Sequence, residues 1–410
     1  MREQNDACIS SAEREEQVTK AQPKGNVPAL RFPEFTDEWK KSRLSDFATK
    51  ITKKNKGNVV KNVLCNSANL GLVPQDNYFD REIANTENTN SYYVIKNGDF
   101  VYNPRKSTAA PFGPVNIYEG EKIGIISPLY LCFSVHNIYP KFLYYRFKSS
   151  VWHPYVYAHG DSGVRFDRVS IKDDVFFNMP ICEPTQEEQI KIAALLQLID
   201  ERISTQNKII EDLKKLKSAI VEKLYSSANG KTYSFRQIFD VVNEKNKKLT
   251  YSNVLSASQE LGMIERSDIN IDIKFEQGSI IGYKIVRKGD YVVHLRSFQG
   301  GFAFSDRTGI CSPAYTILRP NDLVAYGYLS HFFTSRPFIK SLKLVTYGIR
   351  DGRPINVDEW LDMTVILPTW QEQLHIISVI NSIDNKLSNE NQIHNCLLRQ
   401  RTYLQKTMFI

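Results

Sequence analysis

One segment of this chain occurs twice, and that recurrence limits the possible folds more than any other feature. Residues 184–203 read PTQEEQIKIAALLQLIDERI, and residues 368–387 read PTWQEQLHIISVINSIDNKL. Pro184 matches Pro368, Glu188-Gln189 matches Glu372-Gln373, and Ile199-Asp200 matches Ile383-Asp384, at a constant offset of 184 that runs without a gap to the last residue. Upstream, Asn62-Val63-Leu64 and Leu70-Gly71 return as Asn253-Val254-Leu255 and Leu261-Gly262. Tyr92 and Gly98-Asp99-Phe100 return as Tyr283 and Gly289-Asp290-Tyr291, and Ser127-Pro128-Leu129-Tyr130 returns as Ser312-Pro313-Ala314-Tyr315. Self-similarity on this scale means two copies of one module, each a variable body followed by a long helix. The expected boundaries are a polar tail at 1–28, a first body at 29–183, a first helix at 184–226, a second body at 227–367 and a second helix at 368–410.

The helices follow from pattern. From Thr185 to about Tyr225 there is no Pro or Gly, and apolar residues alternate at spacings of four and three. The first seam runs Ile192, Leu196, Ile199, Ile203, Gln206, Ile210, Leu213, Lys217, Ile220 and Leu224. The second runs Ile376, Ile380, Ile383, Leu387, Glu390, His394, Leu397, Arg401, Leu404 and Met408. Sustained over more than four heptads, that repeat predicts a coiled coil. Thr185 and Thr369 are expected N-caps, with Glu188 and Glu372 closing capping boxes. At ~1.5 Å per residue, ~40 residues make a rod of about 60 Å. The seam's polar members favour antiparallel pairing, because a parallel pair in register stacks Lys217 on Arg401. The expected antiparallel register puts Lys217 opposite Glu390, Gln206 opposite Arg401, Ile203 opposite Leu404 and Ile220 opposite Leu387.

The bodies carry short β-rich runs separated by Gly, Asn and Pro turns, with helical stretches at 141–148 and 326–334, so the fold class is α+β with two mixed αβ bodies. No apolar run approaches the ~20 residues needed to cross a bilayer. The first 28 residues lack the apolar core of a signal peptide, so a soluble, cytoplasmic chain is expected. Six cysteines lie far apart with no C-x-x-C pair, which gives neither a zinc site nor a disulfide framework. The chain has 410 residues and a net charge of +8, while the two long helices and the tail hold nearly balanced charge, so the basic excess belongs to the bodies. A basic excess confined to two domains points to a polyanion.

Three basic or Gly-rich patches recur at matching places and are the candidate DNA contacts. Lys53, Lys54 and Lys56 match Lys245, Lys247 and Lys248; such runs hold phosphates without reading sequence. Asn103, Arg105, Lys106 and Ser107 match His294, Arg296, Ser297 and Gln299, a set able to read guanine and adenine edges. Last come Ser162 and Arg165 in HGDSGVRF, and Tyr347, Arg350 and Arg353 in YGIRDGR, where Gly lets backbone approach a partner closely. No phosphate-binding G-x-x-x-x-G-K-[ST], G-x-G-x-x-G, H-E-x-x-H or G-x-S-x-G is present, so no catalytic residue and no metal ligand is expected. A coiled-coil scaffold and a DNA-modifying enzyme acting alone stay open on these grounds.

The layout resembles the specificity subunit of type I restriction–modification systems: a variable body, a helix beginning P-T-x-x-E-Q, then the same again, after the opening Leu30-Arg31-Phe32-Pro33-Glu34-Phe35 and Trp39. The resemblance covers about residues 28–410. It implies two target-recognition domains, each reading one half of a split, asymmetric double-stranded DNA site. It implies paired helices forming an antiparallel, pseudo-two-fold spacer. It further implies two modification (methyltransferase) subunits and ATP-driven restriction subunits as partners, no membrane, and no cofactor on this chain, with S-adenosylmethionine, ATP and Mg held by the partners. The family's Gly-x-Arg loop falls on Gly163-Val164-Arg165 and Gly348-Ile349-Arg350; the second copy departs from the first at Asp351 and Arg353.

Overall fold

The alternating short apolar runs become short strands, and each body folds them the same way. The computed structural model describes residues 25–75, 89–160, 167–258, 261–268, 277–294, 301–345 and 355–410. The chain divides into two compact units, one of residues up to Thr205 with His394–Ile410 and the other of Gln206–Ile393. Both long helices pass through that division.

In the first unit the strands are β1 Lys40–Arg43, β2 Ala48–Lys50, β3 Leu64–Ser67, β4 Gly71–Pro74, β5 Tyr93–Ile95, β6 Phe100–Tyr102, β7 Val115–Ile117, β8 Gly124–Ile126, β9 Leu131–Val135 and β10 Pro180–Glu183. They form one four-stranded sheet, β2-β9-β6-β7, and three two-stranded ones, β3-β4, β5-β8 and β1-β10. Helices α1 Pro140–Lys148, α2 His153–His159 and α3 Asp173–Phe177 cover the sheet. Aromatic side chains fill the core between them: Tyr102 stacks on Phe176 at 4.7 Å, and Trp152 meets Phe147 edge-on at 5.5 Å. Buried rings of this size supply most of a small core's apolar area.

The second unit repeats the plan. After the long α4, Gln186–Ser226, come β11 Lys231–Ser234, α5 Phe235–Ile238, β12 Phe239–Val242, β13 Leu255–Ser258, β14 Gly262–Glu265, β15 Lys284–Val286, β16 Tyr291–Val293, β17 Phe302–Phe304, β18 Gly309–Cys311 and β19 Thr316–Pro320. Then follow α6 Tyr328–Phe332, α7 Arg336–Ser341, α8 Val357–Asp362, β20 Thr364–Leu367 and the second long helix, α9 Trp370–Thr407. Its sheets, β12-β19-β16-β17, β13-β14, β15-β18 and β11-β20, match the first unit's one for one. The Gly-Asp turn shows how deep the match goes. Gly98 and Gly289 take φ of 89° and 99°, which an L side chain resists. The next carboxylate caps the turn in each, Asp99 accepting from the Lys96 amide and Asp290 from the Arg287 amide.

The long helices pair antiparallel. Within the first unit Arg401 donates to Asp200; within the second, Gln206 donates to Glu390 and Lys217 to Asp384, so partner numbers fall on α9 as they rise on α4. Every residue of the two seams is buried or half-buried, including Ile199, Ile203, Ile210, Leu213 and Ile220 on α4 and Ile383, Leu387, Leu397 and Leu404 on α9. The register differs from the expectation. Lys217 meets Asp384 rather than Glu390, and Arg401 meets Asp200 rather than Gln206, a displacement of six residues. The expected register matched charges only within the seam. Asp200 and Asp384 stand beside it, each next to a seam isoleucine, and they capture the cations. Gln206 then meets its own repeat equivalent, Glu390, at 2.5 Å. Lys386 and Gln206 together hold the Glu390 carboxyl below the ordinary glutamate range.

The P-T-x-x-E-Q motif fastens each helix to its body. Gln189, fully buried, donates to the Pro184 carbonyl and accepts from the Tyr139 amide. Gln373 does the same with Pro368 and Ala325. The capping box is complete only at the second helix, where Thr369 and Glu372 exchange hydrogen bonds. At the first, the Glu188 amide still donates to Thr185, but its carboxylate has turned to Arg31 and Trp39 of the opening segment.

Candidate nucleic-acid interface

The first lysine patch sits on a loop whose backbone is braced from inside. The buried Asn55 side chain donates to the Val60 carbonyl and accepts from the Val60 amide, both at 2.9 Å. Its own amide donates to the Tyr92 carbonyl. Asn246 repeats the brace on Tyr251, and its amide donates to the Tyr283 carbonyl. Both loops close on a residue with left-handed φ, Asn58 at 53° and Leu249 at 52°. The brace leaves Lys53, Lys54 and Lys56, and Lys245, Lys247 and Lys248, exposed around it. Rigid backbone with mobile cationic tips suits a phosphate chain, which presents charge but no sequence.

The second patch lines a cleft of about 700 Å³ in the first unit. Arg105, Lys106 and Ser107 line it together with Asn69, Gln75 and Tyr92. Arg105 is exposed and lies 3.8 Å from Asp167. The Lys106 amide donates to the Asp167 carbonyl, and the Val169 amide to the Pro104 carbonyl. The fold therefore joins the Asn103–Ser107 loop to the chain just beyond the Gly-Val-Arg segment. Asn103 itself is buried: its side chain donates to the Asn66 carbonyl and accepts from the Arg105 amide. Both ends of that amide are occupied within the protein.

Tyr130 also faces this cleft and was not among the sequence candidates, although its S-P-x-Y motif recurs in both modules. Burial raises its hydroxyl pKa, while Arg105 and Arg168 pull it down, so the phenol stays protonated and can donate. In the second unit the equivalent Tyr315 stacks edge-on against His294 at 5.1 Å. Cys65, also in the cleft wall, has its thiol pKa raised by burial, which keeps it a neutral thiol.

Of the other candidates, Ser162, Arg165, Arg296, Ser297, Gln299, Tyr347, Arg350 and Arg353 lie outside the described residues. Among the described residues no group of three or more His, Cys, Asp or Glu is arranged to hold a metal ion. No helix among them is long and apolar enough to cross a membrane.

Comparison with known proteins bears on this arrangement. Residues 36–215 match the type I restriction modification DNA specificity domain family. Three solved structures share the fold over most of the chain. One comes from a study of complex assembly and conformational transition in the type I R-M system, with 13% identity, TM-score 0.57, and 90% of this chain and 97% of that one covered. The HsdS subunit from Thermoanaerobacter tengcongensis gives 15% identity and TM-score 0.50, covering 90% and 96%. The type I restriction–modification S subunit from M. genitalium gives 14% identity and TM-score 0.51, covering 94% and 99%. No curated protein sequence matches the chain.

Proposed function

We propose that the chain is a specificity subunit of a type I restriction–modification system and reads a bipartite, asymmetric DNA target with one recognition domain per half-site; the match of residues 36–215 to that family's model and the fold shared with solved S subunits support this reading. DNA recognition is the family's function. What supports division of labour between two readers is one observation: the same frame is built twice, yet different side chains stand where it opens. Asn103-Pro104-Arg105-Lys106-Ser107 follows β6 in the first unit, and His294 follows β16 in the second. Equal frames with unequal lips predict unequal half-sites.

The lysine loops supply the sequence-independent part of binding, which weakens steeply with salt. Arg105 and its neighbours supply base contacts; an Arg set bidentately on guanine discriminates by ~1–3 kcal/mol. The paired helices α4 and α9 serve as spacer and as the scaffold for two modification subunits and the restriction subunits. S-adenosylmethionine, ATP and Mg belong to those partners, and the complex works in the cytoplasm. Adenine methylation requires the base to leave the stack, which the modification subunit performs while this chain holds the duplex. This chain catalyses nothing itself; methyl transfer by the purified chain alone would overturn that.

The test is to reconstitute the chain with its modification subunits and map methylated adenines in genomic DNA. Arg105→Ala should relax one half of the recovered motif and leave the other intact, with ~1–3 kcal/mol lost at the affected base pair. Uniform weakening on every sequence would reduce Arg105 to a phosphate contact.

A further inference from the structure

Behind the first unit's cleft runs a chain of buried amides. Lys148, at the end of α1, donates to the Asn116 side-chain oxygen at 2.7 Å. Burial lowers the pKa of that ammonium to about 8, so it is still mostly charged at neutral pH. Asn116, on β7, donates to the Asn66 side chain at 2.5 Å and to the Ser67 carbonyl at 3.0 Å. Asn66, on β3, donates to the Val101 carbonyl at 2.8 Å, and its own carbonyl accepts from Asn103. Asn103 then accepts from the Arg105 amide at 3.0 Å. Each amide has its donor and its acceptor committed, and a fully satisfied buried network holds its members in one arrangement.

The second unit shows that the fold does not need this chain. Strand pairing equates Asn66 with Ala257 and Asn116 with Ala303, since Asn66 pairs with Leu72 as Ala257 does with Met263, and Asn116 with Val101 as Ala303 does with Val292. The same sheets form there around two alanines. Burying the Asn66 and Asn116 amides where alanine serves costs desolvation without any gain to the frame. The network also ends on the backbone of the residue that lines the cleft.

We propose that Asn66, Asn116 and Asn103 are positioning residues for base reading, fixing the Asn103–Ser107 loop so that Arg105 meets one base edge of the first half-site. The proposal rests on Arg105 reading a base. Asn103 in this role touches no DNA.

The experiment uses the reconstituted complex with its modification subunits and the mapped target. Binding to the cognate duplex is compared with binding to duplexes altered at single positions in either half, at several salt concentrations. The variants are Asn116→Ala and Asn66→Ala, which copy the second unit, together with Asn103→Ala, Asn103→Ser and Arg105→Ala. The positioning role predicts that Asn116→Ala and Asn103→Ala lose roughly tenfold or more in first-half discrimination. Second-half discrimination and the salt slope should not change, and Asn103→Ser, whose hydroxyl can still accept from the Arg105 amide, should recover part of the loss. If Asn116→Ala and Asn103→Ala discriminate like the parent while Arg105→Ala does not, positioning is refuted and Arg105 stands as the reader. If Arg105→Ala also discriminates like the parent, the reading beneath the proposal has failed. Equal weakening on all duplexes would mean general damage and would overturn the proposal too.

Discussion

The two helix starts carry the same P-T-x-x-E-Q letters and use one of them differently. Gln189 and Gln373 do the same work, tying helix to body. Glu372 stays exposed and caps its own helix, whereas Glu188 is fully buried and bonded to Arg31 through both oxygens at 2.7 Å. The difference comes from outside the repeat. The Leu30–Trp39 segment lies over the first helix start, where Arg31 and Trp39 reach Glu188 and Lys191 pairs with Glu34 above the Phe32 ring. A repeated motif thus fixes a local geometry, while its energetic weight depends on what else the chain lays over it.

Arg31→Ala breaks this comparison most directly. It strands a carboxylate with no exposed surface and should cost ~3–5 kcal/mol in urea unfolding. Glu372→Ala removes only a solvent-facing cap and should cost about 1 kcal/mol. Equal costs would mean that water reaches Glu188 once Arg31 is removed.

A second pair of equivalent sites differs in pH response. Asp200 accepts from Arg401 and from the Tyr145 hydroxyl at 3.1 Å; Asp384 accepts from Lys217, and His331 stands 3.6 Å away in the tyrosine's place. Burial, then the Lys217 charge, lowers the His331 pKa to about 4, with Asp384 opposing. The imidazole is therefore neutral in the folded state where a free histidine would already be charged. Folding stability from this group is present above the ordinary value near 6.5 and is lost as pH falls toward 4, by at most about 3 kcal/mol. His331→Tyr copies the first unit and should flatten that part of a pH-stability profile. A profile unchanged by the substitution would assign the acid loss to the carboxylates.

The sequence made the duplication, the helix seams and the antiparallel sense legible because each rests on periodicity or like-charge exclusion. The register was not legible. It turns on Asp200 and Asp384, which lie beside the seam, and on Gln206 meeting its own copy, a contact between non-complementary letters. The lysine loops were visible as charge, but Asn55 and Asn246, which brace them, read as ordinary loop asparagines. Asn103 read as a base contact because exposure cannot be seen in a residue's identity. Tyr130 carried a usable signal, the recurring S-P-x-Y, whose burial beside two arginines only folding supplies.

The smallest expected difference lies in the twin Gly-Asp turns. Asp290 receives two hydrogen bonds from Arg319, each at 2.8 Å, and that pair raises the Arg319 pKa. Asp99 has the same turn amide; burial raises its pKa, and the Lys96 amide and charge only partly offset that. Arg319 is about one-third exposed, so solvent screens the pair, and Asp290→Asn should cost about 1 kcal/mol. Asp99→Asn keeps the turn acceptor and removes a charge that the folded state disfavours, so at neutral pH it should cost nothing or stabilise slightly. The sign follows from the raised value: Asp99 favours folding most when protonated, and its contribution declines as pH rises through the carboxylate range. Asp99→Asn should remove that decline from the pH-stability profile, while Asp290→Asn removes the two hydrogen bonds from Arg319. Equal losses from both substitutions at neutral pH would mean that the turn, and not the ion pair, dominates at both places.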